Sequence, residues 1–203
     1  MRLILASASP RRAELLRSAG YAFETLAVDV DERVHPGEAP EDYVRRLAME
    51  KSARAVDRIG IQASHAGVTL GADTAVVVDS TVLGKPGRDD EARWMLRLLS
   101  GRQHRVLTGI SLRSGPLEVG DVETTTVWFA PLTERDIDWY VASEEGRDKA
   151  GGYAIQGLAS RFIPRIEGSY SNVVGLPVHR VARLLTEIGD ALQRNAGSPG
   201  ISQ

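Results

Sequence analysis

A run of eleven residues, Val68 to Val78, constrains the fold of this chain more than any other segment. Nearly all of its residues are apolar, and it ends in three consecutive valines, which predicts a strand. A strand that is apolar on both faces is typical of the middle of a sheet that helices cover. The run is followed by Asp79-Ser80, a turn signal that leads into a short strand over residues 81–83. We therefore expect this segment to be the central strand of the domain.

The remaining elements follow from apolar periodicity and from turn residues. Further strands are expected at residues 3–6, 22–28, 104–112, 117–129 and 161–166, and helices at residues 10–19, 40–59, 89–99, 133–143 and 177–188. Because strands and helices interleave and a hairpin turn lies at residues 114–116, the expected fold class is α/β, with a mixed central sheet and flanking helices. We expect one domain over residues 1–192 and a disordered tail over residues 193–203.

Composition and charge exclude several classes of protein. The net charge of −2 gives no general attraction for nucleic acid, so any basic site must be local. The chain has no cysteine, which removes disulfides, thiol nucleophiles and cysteine metal sites and fits a reducing compartment. No run approaches the roughly 18 apolar residues of a membrane span, and the apolar start of the chain breaks at Ser9, too soon for a signal peptide. We therefore expect a cytoplasmic protein with no membrane or nucleic-acid partner.

Two arginines lie where a helix normally carries acids. Ser9 is a good N-cap, and Pro10 is a good first residue for the helix that follows the first strand. The first turn of that helix then holds Arg11 and Arg12, which add positive charge to the positive end of the helix dipole. This arrangement favours a bound anion, held by free N–H groups, by the hydroxyls of Ser7 and Ser9 and by both guanidiniums. The alternative is a pair of ordinary surface arginines.

Two further charged residues lie on apolar elements. Lys51 falls in the middle of the apolar stripe of helix 40–59, where an ammonium needs an anionic partner or a route to water. A substrate phosphate would supply that partner, and snorkelling to solvent is the alternative. Asp73 lies inside the predicted central strand among small residues, which leave room for water, a metal ion or a ligand beside the carboxylate. The alternative for Asp73 is a structural ion pair with an arginine.

Polar residues in three loops are weaker candidates for the same site. Glu32 lies in an acidic loop, Lys85 in a Gly-Lys-Pro-Gly loop, and Lys149 and Gln156 in a glycine-rich loop over residues 146–157. The chain has no Walker A, G-x-G-x-x-G or G-x-S-x-G motif, and its four histidines have no metal-ligand spacing. The chemistry that remains is that of Mg²⁺ or Mn²⁺ held by carboxylates and substrate phosphates.

Taken together and in this order, these segments resemble the Maf family of nucleoside triphosphate pyrophosphatases. The stretches that carry the resemblance are residues 5–12 (LASASPRR), 14–16 (ELL), 50–53 (EKSA), 71–74 (GADT), 83–86 (LGKP), 108–109 (TG), 148–157 (DKAGGYAIQG) and 166–177 (IEGSYSNVVGLP). The likeness covers roughly residues 3–190. The form of residues 152–157 (GYAIQG) resembles the branch that acts on dTTP and UTP, not the branch that acts on 7-methyl-GTP. One departure is Ala159-Ser160, where glycines are common in the family.

The resemblance implies a fold with two lobes around a cleft, similar to the inosine triphosphatases. It also implies hydrolysis of a nucleoside triphosphate, with dTTP and UTP preferred, to the monophosphate and pyrophosphate. A divalent metal cation, Mg²⁺ or Mn²⁺, is required in the family, and the implied role is house-cleaning or linked to cell division. In the family pattern Asp73 is the proposed base, while Arg11, Thr74 and Gln156 mark the dTTP and UTP branch.

The expected site combines these residues. The expected substrate-binding side chains are polar or cationic: Ser7, Ser9, Arg11, Arg12, Lys51, Thr74, Lys85, Lys149 and Gln156. Asp73 is expected to orient or deprotonate the attacking water, and Glu32 and Asp73 are expected to hold the metal. Two alternatives are a nucleotide-binding regulator of septum formation without significant turnover and a hydrolase that prefers modified pyrimidine nucleotides. The sequence leaves open the metal, the cellular substrate and assembly as a homodimer.

Overall fold

One mixed sheet of seven strands organises the part of the chain that the computed structural model describes, residues 2–60 and 67–196. The strands are β1 (Arg2–Leu5), β2 (Glu24–Thr25), β3 (Gly67–Val78), β4 (Thr81–Leu83), β5 (Gln103–Ser114), β6 (Leu117–Trp128) and β7 (Arg165–Glu167). Their order is β2-β1-β3-β5-β6-β7, and β4 also pairs with β3. Strands β2, β1 and β3 are parallel, and the other pairs are antiparallel. The predicted mixed α/β class is therefore confirmed.

Helices cover both faces of this sheet. They are α1 (Pro10–Ser18), α2 (Pro40–Ile59), α3 (Asp89–Leu99), α4 (Glu134–Ala142), α5 (Tyr170–Val174) and α6 (Val178–Ala196), with 3₁₀ turns at Ala150–Gly152 and Leu158–Phe162. Predictions for α1 to α4 agree with the structure to within one residue at each end, and Thr133 starts α4 with a capping box, as its type favours. Within the described ranges no helix combines the length and the apolar character needed to cross a bilayer.

The structure corrects several predicted boundaries. The strand expected at residues 22–28 is reduced to Glu24–Thr25, which pairs with the last two residues of β1. The strand expected from residue 161 starts at Arg165, after a 3₁₀ turn. Helix α6 continues beyond the expected residue 188 to Ala196, since a single glycine such as Gly189 does not stop a helix that packs well. The predicted tail is described only up to residue 196; residues 197–203 lie outside the described part of the chain.

Two apolar clusters pack on one face of the sheet, one toward each end of β3. Leu70 and Ala72 pack with residues of α1 and α6, and Val76 and Val78 pack with residues of α3 and α4. All four have even numbers and so share a face of the strand. These clusters form two lobes that meet at residues 73 and 74 of β3.

Helix α2 lies on the opposite face of the sheet, in close contact with two glycines. A Cβ on Gly71 would lie 2.1 Å from the carbonyl oxygen of Ala48, and one on Gly109 would lie 2.1 Å from that of Val44. Real Cβ atoms do not approach so closely, so only glycine allows the helix backbone to come this near to β3 and β5. This contact fixes the height of the α2 side chains above the middle of β3.

Candidate active site

A cleft opens where one edge of β3 has no strand partner. β1 pairs with β3 up to Leu70, and β4 pairs with β3 from Val76 onward. No strand in the described chain pairs with residues 71–75 on that edge, although β5 covers the other edge without a break. The cleft at this gap has a volume of about 750 Å³. Its size is in the range of small-molecule binding sites.

All eleven candidate site residues lie in the wall of this cleft. They are Ser7, Ser9, Arg11, Arg12, Glu32, Lys51, Asp73, Thr74, Lys85, Lys149 and Gln156. They reach it from the β1–α1 loop and α1, from the acidic loop before α2, from α2 and β3, and from two loops of the second lobe. The fold thus brings together residues that are up to 149 positions apart, from Ser7 to Gln156.

Lys51 joins the two candidate carboxylates of the cleft. Its Nζ donates to Asp73 Oδ1 at 2.6 Å and to Glu32 Oε1 at 2.8 Å. The chain itself therefore supplies two anionic partners for this lysine, and its contact with a substrate phosphate stays a prediction. The ammonium does not snorkel, because its side chain is only 9% exposed. Asp73 is paired with a lysine and not, as the alternative had it, with an arginine.

The charges of this group affect the neighbouring acid and phenol. Partial burial alone would raise the pKa of Glu32, but the hydrogen bond and the charge of Lys51 outweigh it and lower that pKa. Burial, together with the negative charges of Asp73 and Glu32, raises the pKa of Tyr43 to about 12. The Tyr43 hydroxyl remains protonated and donates at 2.9 Å to the carbonyl oxygen of Glu32.

The loop that carries Glu32 is fixed to α2 by Arg46. This arginine binds both carboxylate oxygens of Glu38, at 2.6 and 2.9 Å, and the carbonyl oxygen of Arg33 at 3.1 Å. The hydrogen bonds from Arg46 lower the pKa of Glu38 to about 2. Glu32 therefore reaches Lys51 from an anchored loop.

Arg12 points inward and binds main-chain oxygens of β3 and of the loop between α5 and α6. It donates to the carbonyl oxygens of Gly175 and Ala72, each at 2.8 Å, and to the hydroxyls of Thr74 at 3.1 Å and Ser7 at 3.3 Å. Burial lowers its pKa, and the charge of Asp73 opposes this effect. In the described part of the chain Arg12 forms no ion pair, so its buried charge is balanced only at a distance. Four of its five donors are taken, so one N–H is left for a ligand, and the contact of Arg12 with phosphate stays a prediction.

Arg11 points across the mouth of the cleft toward the glycine-rich loop. Its Nη1 lies 2.9 Å from Asp148 Oδ2, and Lys149 Nζ lies 2.5 Å from Oδ1 of the same carboxylate. Burial would raise the pKa of Asp148, but hydrogen bonds from Lys149 and Arg11 lower it to about 2. Two of the five cations predicted to bind the substrate, Arg11 and Lys149, are thus in contact with one protein carboxylate.

The small polar residues frame the same space. Ser9 is at the N-cap of α1, although its side chain forms no capping hydrogen bond, and its N–H donates to Ser7 Oγ at 3.1 Å. The hydroxyls of Thr74 and Thr108 are 2.9 Å apart. The side chains of Lys85 and Gln156 are exposed to the cleft, and the structure describes no hydrogen bond to either of them.

Sequence reasoning missed some residues of the cleft wall. Tyr43, Tyr153, Gly175 and Asp148 also line it. Asp148 had a usable signal, because it stands next to a candidate lysine in the glycine-rich loop. No sequence signal marked Gly175, since its carbonyl becomes part of the site only through the long-range contact with Arg12.

The oxygen donors of the cleft decide what metal site it could form. Within residues 2–60 and 67–196 no group of three or more histidine or acidic side chains could hold a metal ion. Glu32 and Asp73 nevertheless converge closely enough to share the ammonium of Lys51. Two carboxylates of this kind fit Mg²⁺ or Mn²⁺ when water and substrate phosphates supply the remaining ligands.

Two solved structures show a distant likeness to the chain. A nucleoside-triphosphatase (dITP/XTP pyrophosphatase) from Mycobacterium abscessus is 16% identical and matches 98% of this chain and 100% of that one, with a TM-score of 0.42. The Ham1 protein of Staphylococcus aureus is 14% identical and matches 64% of this chain and 72% of that one, with a TM-score of 0.45. At these scores neither structure bears on the site described here.

Relatives found by sequence are much more similar to this chain than these two structures are. A dTTP/UTP pyrophosphatase of Symbiobacterium thermophilum is 51% identical over 188 residues, which cover 92% of this chain and 94% of that protein. Proteins of the same name from Anaeromyxobacter dehalogenans and Pseudoalteromonas atlantica are 50% and 48% identical, over 93% and 92% of this chain and 94% and 96% of those proteins. The family model described as Maf-like protein matches residues 2–188. The chain therefore belongs to the Maf family.

Proposed function

We propose that this chain is a pyrophosphatase that hydrolyses nucleoside triphosphates, with dTTP and UTP preferred, to the monophosphate and pyrophosphate. The observation that carries the proposal is the cleft at the open edge of β3, where cations from both lobes surround the carboxylate of Asp73. The names of the close relatives support the same reaction and the same two nucleotides. A house-cleaning role and a link to cell division both remain compatible with that reaction.

The cations of the cleft suit a triphosphate chain. Arg11, Lys85 and Lys149 present exposed or partly buried cationic ends to the cleft, and the N–H groups of Arg11 and Arg12 at the start of α1 have no acceptor within the helix. Lys85 forms no hydrogen bond or ion pair in the described chain and acts on Glu32 only through its charge, so it is available without loss of a direct contact. Arg12 supports these groups from behind, through its hydrogen bonds to Ala72, Gly175 and Ser7.

Asp73 is the residue we assign to the attacking water. Its Oδ1 is held by Lys51, and no hydrogen bond reaches its Oδ2 from the residues that the structure describes. That oxygen can accept a hydrogen bond from water and orient it toward a phosphate, or take its proton. Lys51 fixes the carboxylate by the short contact and keeps it directed into the cleft.

A divalent metal would be held by Glu32 and Asp73. Mg²⁺ or Mn²⁺ bound there supplies charge neutralisation for the phosphates and for the pyrophosphate that leaves. The pair has only two carboxylates, so substrate phosphate oxygens must complete the coordination, and we expect metal and nucleotide to bind together.

A screen of pyrophosphate release tests the reaction directly. All common nucleoside triphosphates, together with 5-methyl-UTP and pseudo-UTP, are incubated with the protein in Mg²⁺, in Mn²⁺ and in a chelator. We expect dTTP and UTP to release pyrophosphate fastest, and only when a metal is present. Binding of dTTP without pyrophosphate release would indicate a nucleotide-sensing regulator, and faster turnover of the modified nucleotides would indicate a hydrolase specialised for them.

The variant Asp73→Asn, measured under the same conditions, tests the role of this carboxylate in the reaction. If the carboxylate is a general base, kcat should fall by at least ~10²-fold. A loss of less than tenfold would refute that role and leave Asp73 as a residue that only helps to hold the site together.

A further inference from the structure

One carboxylate of the cleft is not used by the proposed reaction, although it touches two cations that are. Asp148 contacts Arg11 from the first lobe and Lys149 from its own loop, one on each carboxylate oxygen. Arg11 belongs to α1 and Asp148 to the glycine-rich loop, 137 positions further along the chain. The pair therefore joins two walls of the cleft at its mouth. A phosphate group at this place would be held in the same way, with one cation on each of two oxygens.

The glycine-rich loop does not need this pair for its own structure. Lys149 Nζ also donates to the carbonyl oxygen of Glu145 at 2.5 Å, and the N–H of Gly151 donates to the carbonyl oxygen of Gly84 at 3.0 Å. Glu145 in turn accepts from the N–H of Leu158 at 2.9 Å and from the Tyr140 hydroxyl at 2.9 Å. The loop is therefore fixed from behind, and the contact with Arg11 is an addition at its front.

The contact is also weak enough to be exchanged for a ligand. The Asp148 side chain is 63% exposed, although Arg11 and Lys149 are only 22% and 15% exposed, so water competes for its oxygens and the net gain from the ion pairs is small. The pKa of Asp148 is about 2, so the carboxylate stays charged at any pH at which the protein would work. A pyrophosphate or triphosphate group carries several negative charges and can displace a single carboxylate from the same cations.

We propose that Asp148 is an internal substitute for phosphate, which holds Arg11 and Lys149 in the free protein and returns to them when pyrophosphate leaves. The inference rests on the proposed function for its substrate, but the contact itself is a property of the free chain. By competing for the same cations, Asp148 weakens the binding of both triphosphate and pyrophosphate. Its effect is to prevent the product from blocking a site that is rich in positive charge.

The test compares Asp148→Asn with a matched variant elsewhere. Asp138→Asn is the control, because Asp138 is 62% exposed, binds one arginine (Arg93 Nε at 2.8 Å) and does not line the cleft. Binding of inorganic pyrophosphate is measured by calorimetry, with and without Mg²⁺, and KM and kcat are measured for dTTP. Asp148→Ser is made as a second variant, in case the asparagine amide still bridges the two cations.

We expect Asp148→Asn to bind pyrophosphate ~3–10-fold more tightly and to lower KM for dTTP by a similar factor, with kcat unchanged or reduced. Asp138→Asn should change none of these quantities. Unchanged or weaker pyrophosphate binding in both Asp148 variants, with the fold intact, would overturn the proposal, as would a weaker dependence on Mg²⁺ that marked Asp148 as a metal ligand. If no nucleotide is hydrolysed by the unmodified protein, the proposed function fails, while the pyrophosphate measurement still decides the role of Asp148.

Discussion

The ammonium of Lys51 lies 2.6 Å from Asp73 Oδ1, and both side chains are nearly shielded from solvent, at 9% and 11% exposure. A charged pair in such a place is costly to break from one side only, because the remaining charge is left without a partner. The pair also links α2 to the middle of β3 at the point where the cleft opens. Its integrity therefore bears on stability and on activity at once.

The variant Lys51→Met tests this coupling through stability. Loss of the ammonium leaves the carboxylates of Asp73 and Glu32 near each other without a cation, so we expect a loss of roughly 3 kcal/mol in the free energy of unfolding. The double variant Lys51→Met/Asp73→Asn should recover part of that loss, since the unpaired charge on β3 is removed. Denaturant unfolding in the absence of nucleotide measures the stability of the unmodified protein, of each single variant and of the double variant. Strictly additive effects would show that the two residues do not interact in solution.

The close packing of α2 on the sheet predicts a large effect of one methyl group. In Gly109→Ala the new Cβ would meet the carbonyl oxygen of Val44 at 2.1 Å, so the helix backbone must move away. We expect a loss of about 1–3 kcal/mol in stability and a fall in kcat, because Lys51 moves with the helix. Gly189→Ala is the matched control, since a Cβ there meets nothing within 4 Å and alanine favours a helix. Equal stability of the two variants would contradict the packing described for α2.

Buried His104 predicts an acid-dependent loss of stability. Burial lowers its pKa to about 3, against about 6.5 in an unfolded chain, so between these values the unfolded state binds the extra proton. The stability that neutral His104 contributes is present in full above pH ~6.5 and is lost as the pH falls toward 3. The slope from this residue is at most ~1.4 kcal/mol per pH unit. The ring is hydrogen bonded to the Tyr153 hydroxyl at 2.7 Å, so His104→Gln keeps a polar partner there.

Unfolding at pH 7, 5.5 and 4.5 checks this prediction. The difference between the unmodified protein and His104→Gln should shrink as the pH falls, because the glutamine does not titrate. His179→Gln serves as the control, since that ring is 59% exposed. Parallel pH profiles for the unmodified protein and His104→Gln would argue against a buried, neutral imidazole.

Gln156 offers a test of base selection. Its amide is exposed to the cleft and can both donate and accept, which matches the adjacent O4 acceptor and N3–H donor of uracil and thymine. Cytosine presents donor and acceptor in the reverse order at these positions, so an amide held in one orientation distinguishes the bases. We expect Gln156→Ala to reduce the ratio of kcat/KM for UTP to that for CTP. Lys85→Ala should lower both values together, since it removes a phosphate contact and no base contact. An unchanged ratio in Gln156→Ala would remove the base-reading role from this residue.

The helices and strands were predictable to the extent that local pattern decides them. Thr133 and Pro40 mark helix starts by their types alone, and the apolar run at Val68 identified the central strand. The start of β7 was not predictable, because the residues before Arg165 owe their 3₁₀ turn to contacts with distant segments. Phe162, for example, packs into the cluster of the second lobe.

The sequence predicted which residues line the cleft, but not which of them form hydrogen bonds and ion pairs with one another. Lys51 reads from the sequence as a buried cation that needs an anion, but its partners depend on how close α2 lies to β3. Arg11 and Arg12 look alike in the sequence, yet they differ by about 100° around α1. One therefore faces Asp148 across the cleft, and the other is turned toward Ala72 and Gly175. Such distinctions arise from three-dimensional contacts that no local pattern contains.

The short length of β4 has a consequence for the existence of the cleft. Its pairing of Leu83 with Val76, continued by one residue on each strand, would place Gly84 opposite Ala75 and then Lys85 opposite Thr74. A longer hairpin would thus occupy the open edge of β3 beside Asp73 and close the gap at which the cleft opens. Pro86 would then lie opposite Asp73, and it has no N–H to offer a neighbouring strand, which disfavours such an extension. One edge of β3 therefore lacks strand-to-strand hydrogen bonds between the ends of β1 and β4. The gap between those two strands is the space in which a substrate can bind.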